Sequence, residues 1–584
     1  MRLNRNEIGR LSWAAAVVSL ACGGCASMLF RGGEKETDAA LEELTENETP
    51  LVGDYAYPWG THPEKVEAVA LCIGLDGTGE DPPQSPQRAA MLDDMQRRNV
   101  PKPNELLRSR DNALVLLRGF LPPGAQKGDK FDIEVRTPTR SDAKSLRGGY
   151  VLSARMTQLA ALGGQIREGR VLAEAEGAVL IDPSSDEEDA LAAHTQGRIL
   201  GGGTVLKSRD LGLMIGEAHQ SFHLVQSIAA SINKRFQSYD EGRKQGVAEA
   251  KNFGFVRLRV HPRYKDNLPR YVKVVRALSV RETPAAMQER LQLLETQLLD
   301  PLTSATAAVR LEAIGDESAI KRLRAGLESA DPEVRFYSAE ALAYLDQTDC
   351  VEALAEAARD EPAFRAYALV ALSAMDDVVA YDALRSLLDS PSAETRYGAF
   401  RALWAMNPSD PMIRGEQLGG SFAYHVIDGG GPPMVHVTRT GRPEVVLFGG
   451  GQNLRLPLVL DAGTSILVNG LEGDEITVSR FRDRRSTLRR AVSTDLDGVI
   501  RAIVEVGGEY PDVVQALQQA KRDGALEGRL AVDAVPQDGR VYDGPSEQAD
   551  PQGAEVDADL DASLGTDESY RVSNPLPDLF SKKR

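Results

Sequence analysis

Three segments of this chain align with one another, and their recurrence constrains the fold more than any other feature. They are DPEVRFYSAEALAYL (331–345), EPAFRAYALVALSAM (361–375) and PSAETRYGAFRALWAM (391–406). Arg335, Arg365 and Arg396 mark equivalent positions, 30 and 31 residues apart. Pro332, Pro362 and Pro391 stand near each start, where a missing N–H costs a helix nothing. Asp331 is a natural N-cap. Val334, Ser338, Ala341 and Leu345 keep one helical face small or apolar, and Phe364, Ala368, Ala371 and Met375 repeat the pattern. A second helix-like stretch belongs to each unit, at 319–327, 351–358 and 381–388. The spacing predicts stacked helical hairpins with short helices, since longer helical repeats need about 40 residues or more. The three arginines are read as a structural ladder on neighbouring turns.

With 584 residues the chain is too long for one core and is expected to hold three or four domains. Its net charge of −18 argues against nucleic acid as a partner, because a binder needs a basic face to displace counterions. The N-terminus has the form of a targeting segment. Arg2, Arg5 and Arg10 precede an apolar stretch at 11–21, well short of the ~20 residues that span a bilayer. The following Cys22-Gly23-Gly24-Cys25 resembles a bacterial lipoprotein lipobox. That resemblance implies acylation of Cys25, with Cys22 as the alternative, and a lipid anchor in a membrane, taken to be the outer membrane. Residues 1–25 are thus expected to be a signal peptide and 26–63 a polar tether. Cys72 and Cys350 fall in different regions and are read as small buried hydrophobes.

Residues 121–149 read LPPGAQKGDKFDIEVRTPTRSDAKSLRGG. The apolar run at 112–117 suits a buried strand, which Pro122, Pro123 and Gly124 end. Phe131, Ile133 and Val135 alternate with Asp132, Glu134 and Arg136, as in a strand with one buried face. Gly148 and Gly149 mark a second turn before the alternation at 150–154. Asp129, Asp142, Lys144 and Arg147 are read as turn caps and solvated charge. Further on, 221–236 is an amphipathic helix carrying Leu224, Ile228 and Ile232; 255–260 is a strand and 267–278 a helix.

This stretch resembles the signature of the flagellar basal-body P-ring protein family. The resemblance runs over about 66–281. Its specific anchor is Asp142 to Gly149, supported in order by Gly74 to Gly79, Leu121 to Pro123, Gly128-Asp129, the 197–204 turn region and 255–280. It implies a mixed β-rich module over 64–283, a periplasmic location, and self-association into a ring around a rod. The chain departs from the family where the repeat replaces a final β segment after Val280. The repeat itself, 285–408, resembles short HEAT-like repeats and implies a surface for rod or envelope proteins.

Residues 411–535 are expected to form a C-terminal α+β domain, with strands at 422–427, 434–438, 444–448, 454–460, 465–468 and 475–480. Helices are expected at 495–506 and 511–522, with Gly507 and Gly524 as C-caps. Residues 541–584 are acidic and expected to be disordered. The fold class is therefore multidomain α+β: a β-rich module, a helical solenoid, a C-terminal β-rich domain and a tail.

Chemistry-bearing motifs are sparse. Gly74-Leu75-Asp76-Gly77-Thr78-Gly79 follows a strand, but Asp81, Pro82 and Pro83 follow it and no lysine is placed for phosphate, so a tight turn is favoured. His219 and His223 have the i, i+4 spacing of helical metal ligands, but neither a Glu nor a third ligand accompanies them. No catalytic, cofactor or metal residue is assigned. The expected function is a non-enzymatic, lipid-anchored structural component of a P-ring. The alternative is an envelope scaffold reusing that fold without a flagellum; an enzyme in 411–535 is the minor reading.

Overall fold

The computed structural model describes residues 49–162, 165–181, 194–240, 243–471, 473–482, 486–537, 540, 542 and 577–580. The expected signal peptide, Cys22, Cys25, most of the expected tether and most of the acidic tail lie outside the described residues.

The first module starts earlier than the sequence suggests. A short helix α1 (Val52–Tyr55) leads into strand β1 (Ala56–Trp59). Val52 is fully buried and its N–H donates to Leu278 O at 2.8 Å. Residues 49–59 are therefore folded structure where a tether to 63 was expected; this stretch, TPLVGDYAYPW, is mostly apolar, unlike the Glu-rich residues before it. Next come β2 (Glu64–Ile73), helices α2 (Pro86–Arg97) and α3 (Pro103–Arg108), β3 (Asn112–Leu121), β4 (Lys130–Arg136), β5 (Tyr150–Leu162), β6 (Gln165–Ala178) and β7 (Gln196–Val205). Strands β2 to β7 close into an antiparallel barrel in the order β2-β3-β4-β7-β6-β5.

Period-2 patterning fills the barrel. Val66, Ala70 and Cys72, then Ala113, Val115 and Leu117, then Phe131, Ile133 and Val135 share one core. Leu71 and Leu114 point the other way, into a small cluster with Met91, Met95 and Leu107 of α2 and α3. Both faces of β3 are thus covered, which explains its unbroken apolar run. The Phe131 ring fits because Gly119 and Gly203 lie beside it: a Cβ on either would approach the ring to 2.5 Å.

The chain then builds a four-stranded sheet, ordered β1-β8-β12-β11, from β8 (Leu211–Ile215), β11 (Ala248–Asn252) and β12 (Phe255–Leu258). A separate hairpin, β9 (Gln237–Asp240) and β10 (Arg243–Gly246), precedes β11. Helices α4 (Phe222–Arg235) and α5 (Leu268–Arg276) share a core with this sheet through Val225, Ile228, Ile232, Val274 and Val275. Ser221 and Asn267 cap them, each accepting an N–H from the third residue on.

Four helical hairpins follow: α6 (Pro284–Leu298) with α7 (Ser304–Ile314), α8 (Glu317–Leu327) with α9 (Pro332–Tyr344), α10 (Val351–Asp360) with α11 (Arg365–Ser373), and α12 (Val378–Leu387) with α13 (Ala393–Met406). Asp331 caps α9 through the N–H groups of Glu333 and Val334. The repeat arginines form the expected ladder. Arg335 Nη1 donates to Ser329 O and Ala330 O, Arg365 Nε to Ala358 O, and Arg396 Nε to Leu388 O at 2.9 Å. Each guanidinium meets carbonyls at the end of the preceding helix, where acceptors lack intrahelical donors. The helices α9, α11 and α13 are buried on more than the single face read from sequence: Phe336, Ala339, Leu342 and Tyr344 are all inside.

The first module and the repeats share one continuous core, with a buried ion network at their junction. Arg270 of α5 donates through Nε to Glu312 Oε2 of α7 at 3.0 Å and pairs through Nη1 with Glu340 of α9 at 2.5 Å. Tyr264 Oη donates to Glu312 Oε1 at 2.6 Å, and Asn267 Nδ2 to Tyr344 Oη at 3.0 Å. Burial lowers the pKa of Arg270, but its two carboxylates more than reverse this; burial pushes Glu312 up against the pull of Arg270.

The last region holds two sheets. A mixed one is ordered β13-β14-β16-β15-β21, from β13 (Glu416–Leu418), β14 (Phe422–Ile427), β15 (Met434–Val437), β16 (Glu444–Phe448) and β21 (Arg529–Val532). The other is antiparallel: β17 (Leu458–Ala462), β18 (Ile466–Gly470), β19 (Glu475–Arg482) and β20 (Ser486–Ser493). Helices α14 (Leu496–Glu505) and α15 (Tyr510–Arg522) share their core, and Gly507 and Gly524 adopt positive φ just past them. The strand expected at 454–460 begins at Leu458 instead; β13, β20 and β21 had no sequence counterpart, since β20 is charged and the others are short.

Where α13 meets this sheet, Glu444 is fully buried. It accepts from Tyr397 Oη at 2.8 Å and pairs with Arg442. Burial works against its charge, and Arg442, Arg401 and His425 outweigh burial, so its carboxyl sits below the ordinary value. His436 stacks on Tyr397 with ring centroids 3.5 Å apart and accepts the Ala534 N–H at Nε2. Burial pushes its pKa down to about 3.

The expectation of disorder from 541 onward fails at two places. Tyr542 stacks on Phe364 with centroids 5.1 Å apart, beside Arg540, which donates to both oxygens of Glu394. Pro577 and Phe580 are buried.

Two stability predictions follow from these buried groups. R270A strands two carboxylates and should cost about 3–5 kcal/mol in urea unfolding, whereas R270M with E312L and E340L should recover most of it. His436 is neutral when folded and titrates near 6.5 when unfolded, so its contribution is complete above that pH. Stability should fall as pH drops from about 6.5 towards 3, and H436Q should flatten the slope of urea midpoint against pH between 7.5 and 5.

Candidate functional site

Two of the segments singled out in the sequence meet at one end of the barrel. The Gly74–Gly79 turn leaves β2, and the 142–149 segment leads into β5. They are laced by backbone chemistry. Thr78 Oγ1 donates to Ser145 O at 2.8 Å and to Leu75 O at 2.7 Å, and Lys144 N–H donates to Thr78 O at 2.8 Å. The Glu80 carboxylate accepts from Ser141 Oγ and from the Asp142 N–H. Leu146 N–H reaches His194 O, and Gly149 O accepts from Val179 N–H.

Glycine is required here by close approach. A Cβ on Gly79 would stand 2.1 Å from Asn112 O; one on Gly149 would stand 2.5 Å from Cys72 Sγ and 2.7 Å from Leu75 Cδ2. Gly74, Gly77 and Gly148 adopt positive φ. The next helix, α2, starts only at Pro86, so the turn faces no helix N-terminus and is not a phosphate cradle.

The polar residues behave as read from sequence. Asp129 accepts from Gln126 N–H at 2.8 Å as a turn cap, and Asp142 and Lys144 are exposed. Arg147 lines a shallow cleft of about 280 Å³ with Asp461, Gln515, Gln519, Arg522 and Asp523. The signature loop therefore faces α15 of the last region, a contact the sequence did not signal. Nearby, Asp132 of β4 accepts at one oxygen from Gly201 N–H and at the other from Gly441 N–H, binding β4 and β7 to the β15–β16 turn.

The histidine pair does not converge as spaced metal ligands would. His219 ends a 3-10 turn against Tyr55, while His223 lies in α4 and faces Arg281. Among the described residues no group of three or more His, Cys, Asp or Glu could hold a metal ion. Cys72 and Cys350 are buried free thiols, and burial pushes each up to about 12.

With a closed barrel, laced glycine turns and a helix-backed sheet in place, comparison with known proteins is direct. Residues 52–289 match the family of the flagellar P-ring protein, and 320–404 match HEAT repeats. The first module is similar to P-ring proteins. The flagellar P-ring protein of Nitrosospira multiformis is 31% identical over 197 residues, covering 32% of this chain and 50% of that protein. That of Geobacter metallireducens is 30% identical over 39% of this chain and 60% of the relative. That of Thermotoga maritima is 26% identical over 41% and 69%. The chain thus spans about half to three-fifths of the first two relatives. The P-ring-like match takes in the barrel, the small sheet and the start of α6, including the residues 52–59 that composition had assigned to a tether.

The P-ring-like module also carries an exposed aromatic face. On the sheet side away from α4 and α5, Tyr57 opposes Met214, which opposes Phe255; Trp59 packs edge-on to Phe255 with centroids 5.5 Å apart. Tyr57 and Trp59 are each nearly half exposed, and Phe253 at the adjoining turn is 62% exposed.

G149A should destabilise the barrel by about 1–3 kcal/mol through overpacking against Cys72. The double variant G149A/C72A should recover part of that loss, measured as non-additivity in urea unfolding.

Proposed function

We propose that this chain is a non-enzymatic structural subunit that associates through its P-ring-like module into a ring in the bacterial envelope, held to a membrane by lipid at Cys25, with Cys22 as the alternative. The match over 52–289 carries the reading. The site chemistry is compatible with it: the signature loops are held in shape by backbone groups, glycine packing and the Thr78, Glu80 and Ser141 side chains, with Ser141 Oγ donating to the Glu80 carboxylate as a brace between the two loops. The exposed Tyr57, Trp59, Met214 and Phe253 supply the contact surface such a subunit needs, since contiguous apolar patches mark association sites. Closure into a ring requires two different surfaces meeting head to tail. The anchor and the location in the periplasm, at the outer membrane, are part of this proposal. No described helix is long and apolar enough to cross a membrane.

A second reading is an envelope scaffold that keeps the module without a flagellum. It is favoured by the contacts of the 411–535 region with the barrel, from Gly441 N–H to Asp132 and from Thr464 Oγ1 to Asp76 in the glycine turn.

Electron microscopy of the purified full chain separates the two. Closed rings that disappear in Y57A/W59A, with motility lost in a deletion strain, support the ring subunit. A strictly monomeric protein and normal motility would sink it and leave the scaffold. In either case C25S should move the protein from membrane to soluble fractions; retention there by C25S, with loss in C22S, reassigns the lipid to Cys22.

A further inference from the structure

The four residues Pro577–Phe580 are held at the junction of the first module and the repeats as a ligand is held. Asp578 Oδ2 accepts the Leu268 N–H at 2.6 Å, at the first turn of α5. Leu579 N–H donates to Asp266 O at 3.1 Å, and Phe580 N–H turns back to Pro577 O at 3.0 Å. Phe580 is 2% exposed and joins the core shared by α5 and the repeats.

Each element of this contact has its own recognition chemistry. The N-terminus of α5 offers a free N–H and a positive dipole end to a carboxylate. The Asp266 carbonyl fixes the peptide backbone, and the core takes an aromatic ring. The receiving loop is itself braced, by Asn267 on Tyr344 and by Lys265 Nζ on Ala405 O at 3.2 Å. Residues 543–576 separate this segment from Tyr542 and hold nine acidic residues against one arginine. The docked segment is thus a short motif at the far end of a long acidic stretch.

We propose that the surface formed by Asp266, Leu268 and the N-terminus of α5 is a peptide-docking site for a short Pro-Asp-Leu-Phe motif, and that residues 577–580 of the same chain are its resident ligand. The motif is a second fastening of the C-terminal segment, at α5 by Phe580, after that at Phe364 by Tyr542. Because the ligand is tethered, its effective concentration at the site is high, and a free copy competes poorly while it is in place.

The test uses a fluorescein-labelled peptide of residues 573–584, read by anisotropy. The chain lacking 577–584 should bind it saturably, and the full chain at least tenfold more weakly. Peptides carrying D578A or F580A should each lose at least tenfold in affinity for the shortened chain. Equal binding to both chains, or undiminished binding of the F580A peptide, overturns the proposal. Hydrogen exchange in the full-length chain gives an answer without truncation. F580A should speed exchange of the amides around Leu268 at least tenfold, and unchanged exchange there overturns the site.

Discussion

Arg270 holds the molecule together at its least forgiving point. It stands on the last helix of the P-ring-like module and binds Glu312 and Glu340 from two different repeat hairpins, all three nearly or fully out of water. Such a network adds little net stability over an apolar substitute, because desolvation offsets the attraction. What it supplies is register. Apolar side chains tolerate sliding of one helix over another, whereas a guanidinium between two carboxylates has one satisfactory position. The stacking of Tyr264 on Tyr344 and the Asn267 bond to the same tyrosine depend on that position.

A second buried centre repeats the logic at the other end of the repeats. Glu444 draws Arg442 and Tyr397 around it, and so ties α13 to the mixed sheet. The helical repeat is therefore fixed at both ends by buried polar centres, while the two β-rich parts also touch directly through Asp132 and Gly441. The arginine ladder inside the repeat has a local part, each guanidinium closing the helix before it, which is why it was visible as a 30-residue period, while Arg365 also reaches Glu394 and Arg396 reaches Pro432 O.

Legibility followed the range of the interactions. Period-2 alternation at 131–135, the proline and glycine breaks at 122–124, and the helix caps Ser221, Asn267 and Asp331 are short-range signals, and the structure follows them. Closure of the barrel was not readable, because it depends on β2 meeting β5 across some eighty residues of chain. The fold of residues 49–59 was hidden because this short run, in which Leu51, Val52 and Ala56 are buried, follows directly on a Glu-rich stretch. Strand β20 was hidden by its charges, having a neighbour to pair with but little apolar pattern. At the candidate site the glycines were legible as turns. Their close approach to Cys72 and Asn112, and the cleft that Arg147 shares with α15, are tertiary facts that no spacing encodes. The docked Phe580 was masked by the acidic stretch at 543–568 that precedes it.

The closed barrel has a consequence for how copies of this chain can meet. A barrel offers no unpaired strand, so its backbone cannot template a neighbour. In the module matched to P-ring proteins, open edges occur at β1 and β11 of the small sheet and in the β9–β10 hairpin, and β1 carries Pro58, which withholds a donor there. Growth by edge-to-edge strand addition is blunted at that side. Any association at the β1 side is then left to side-chain faces such as the one that exposes Tyr57 and Trp59.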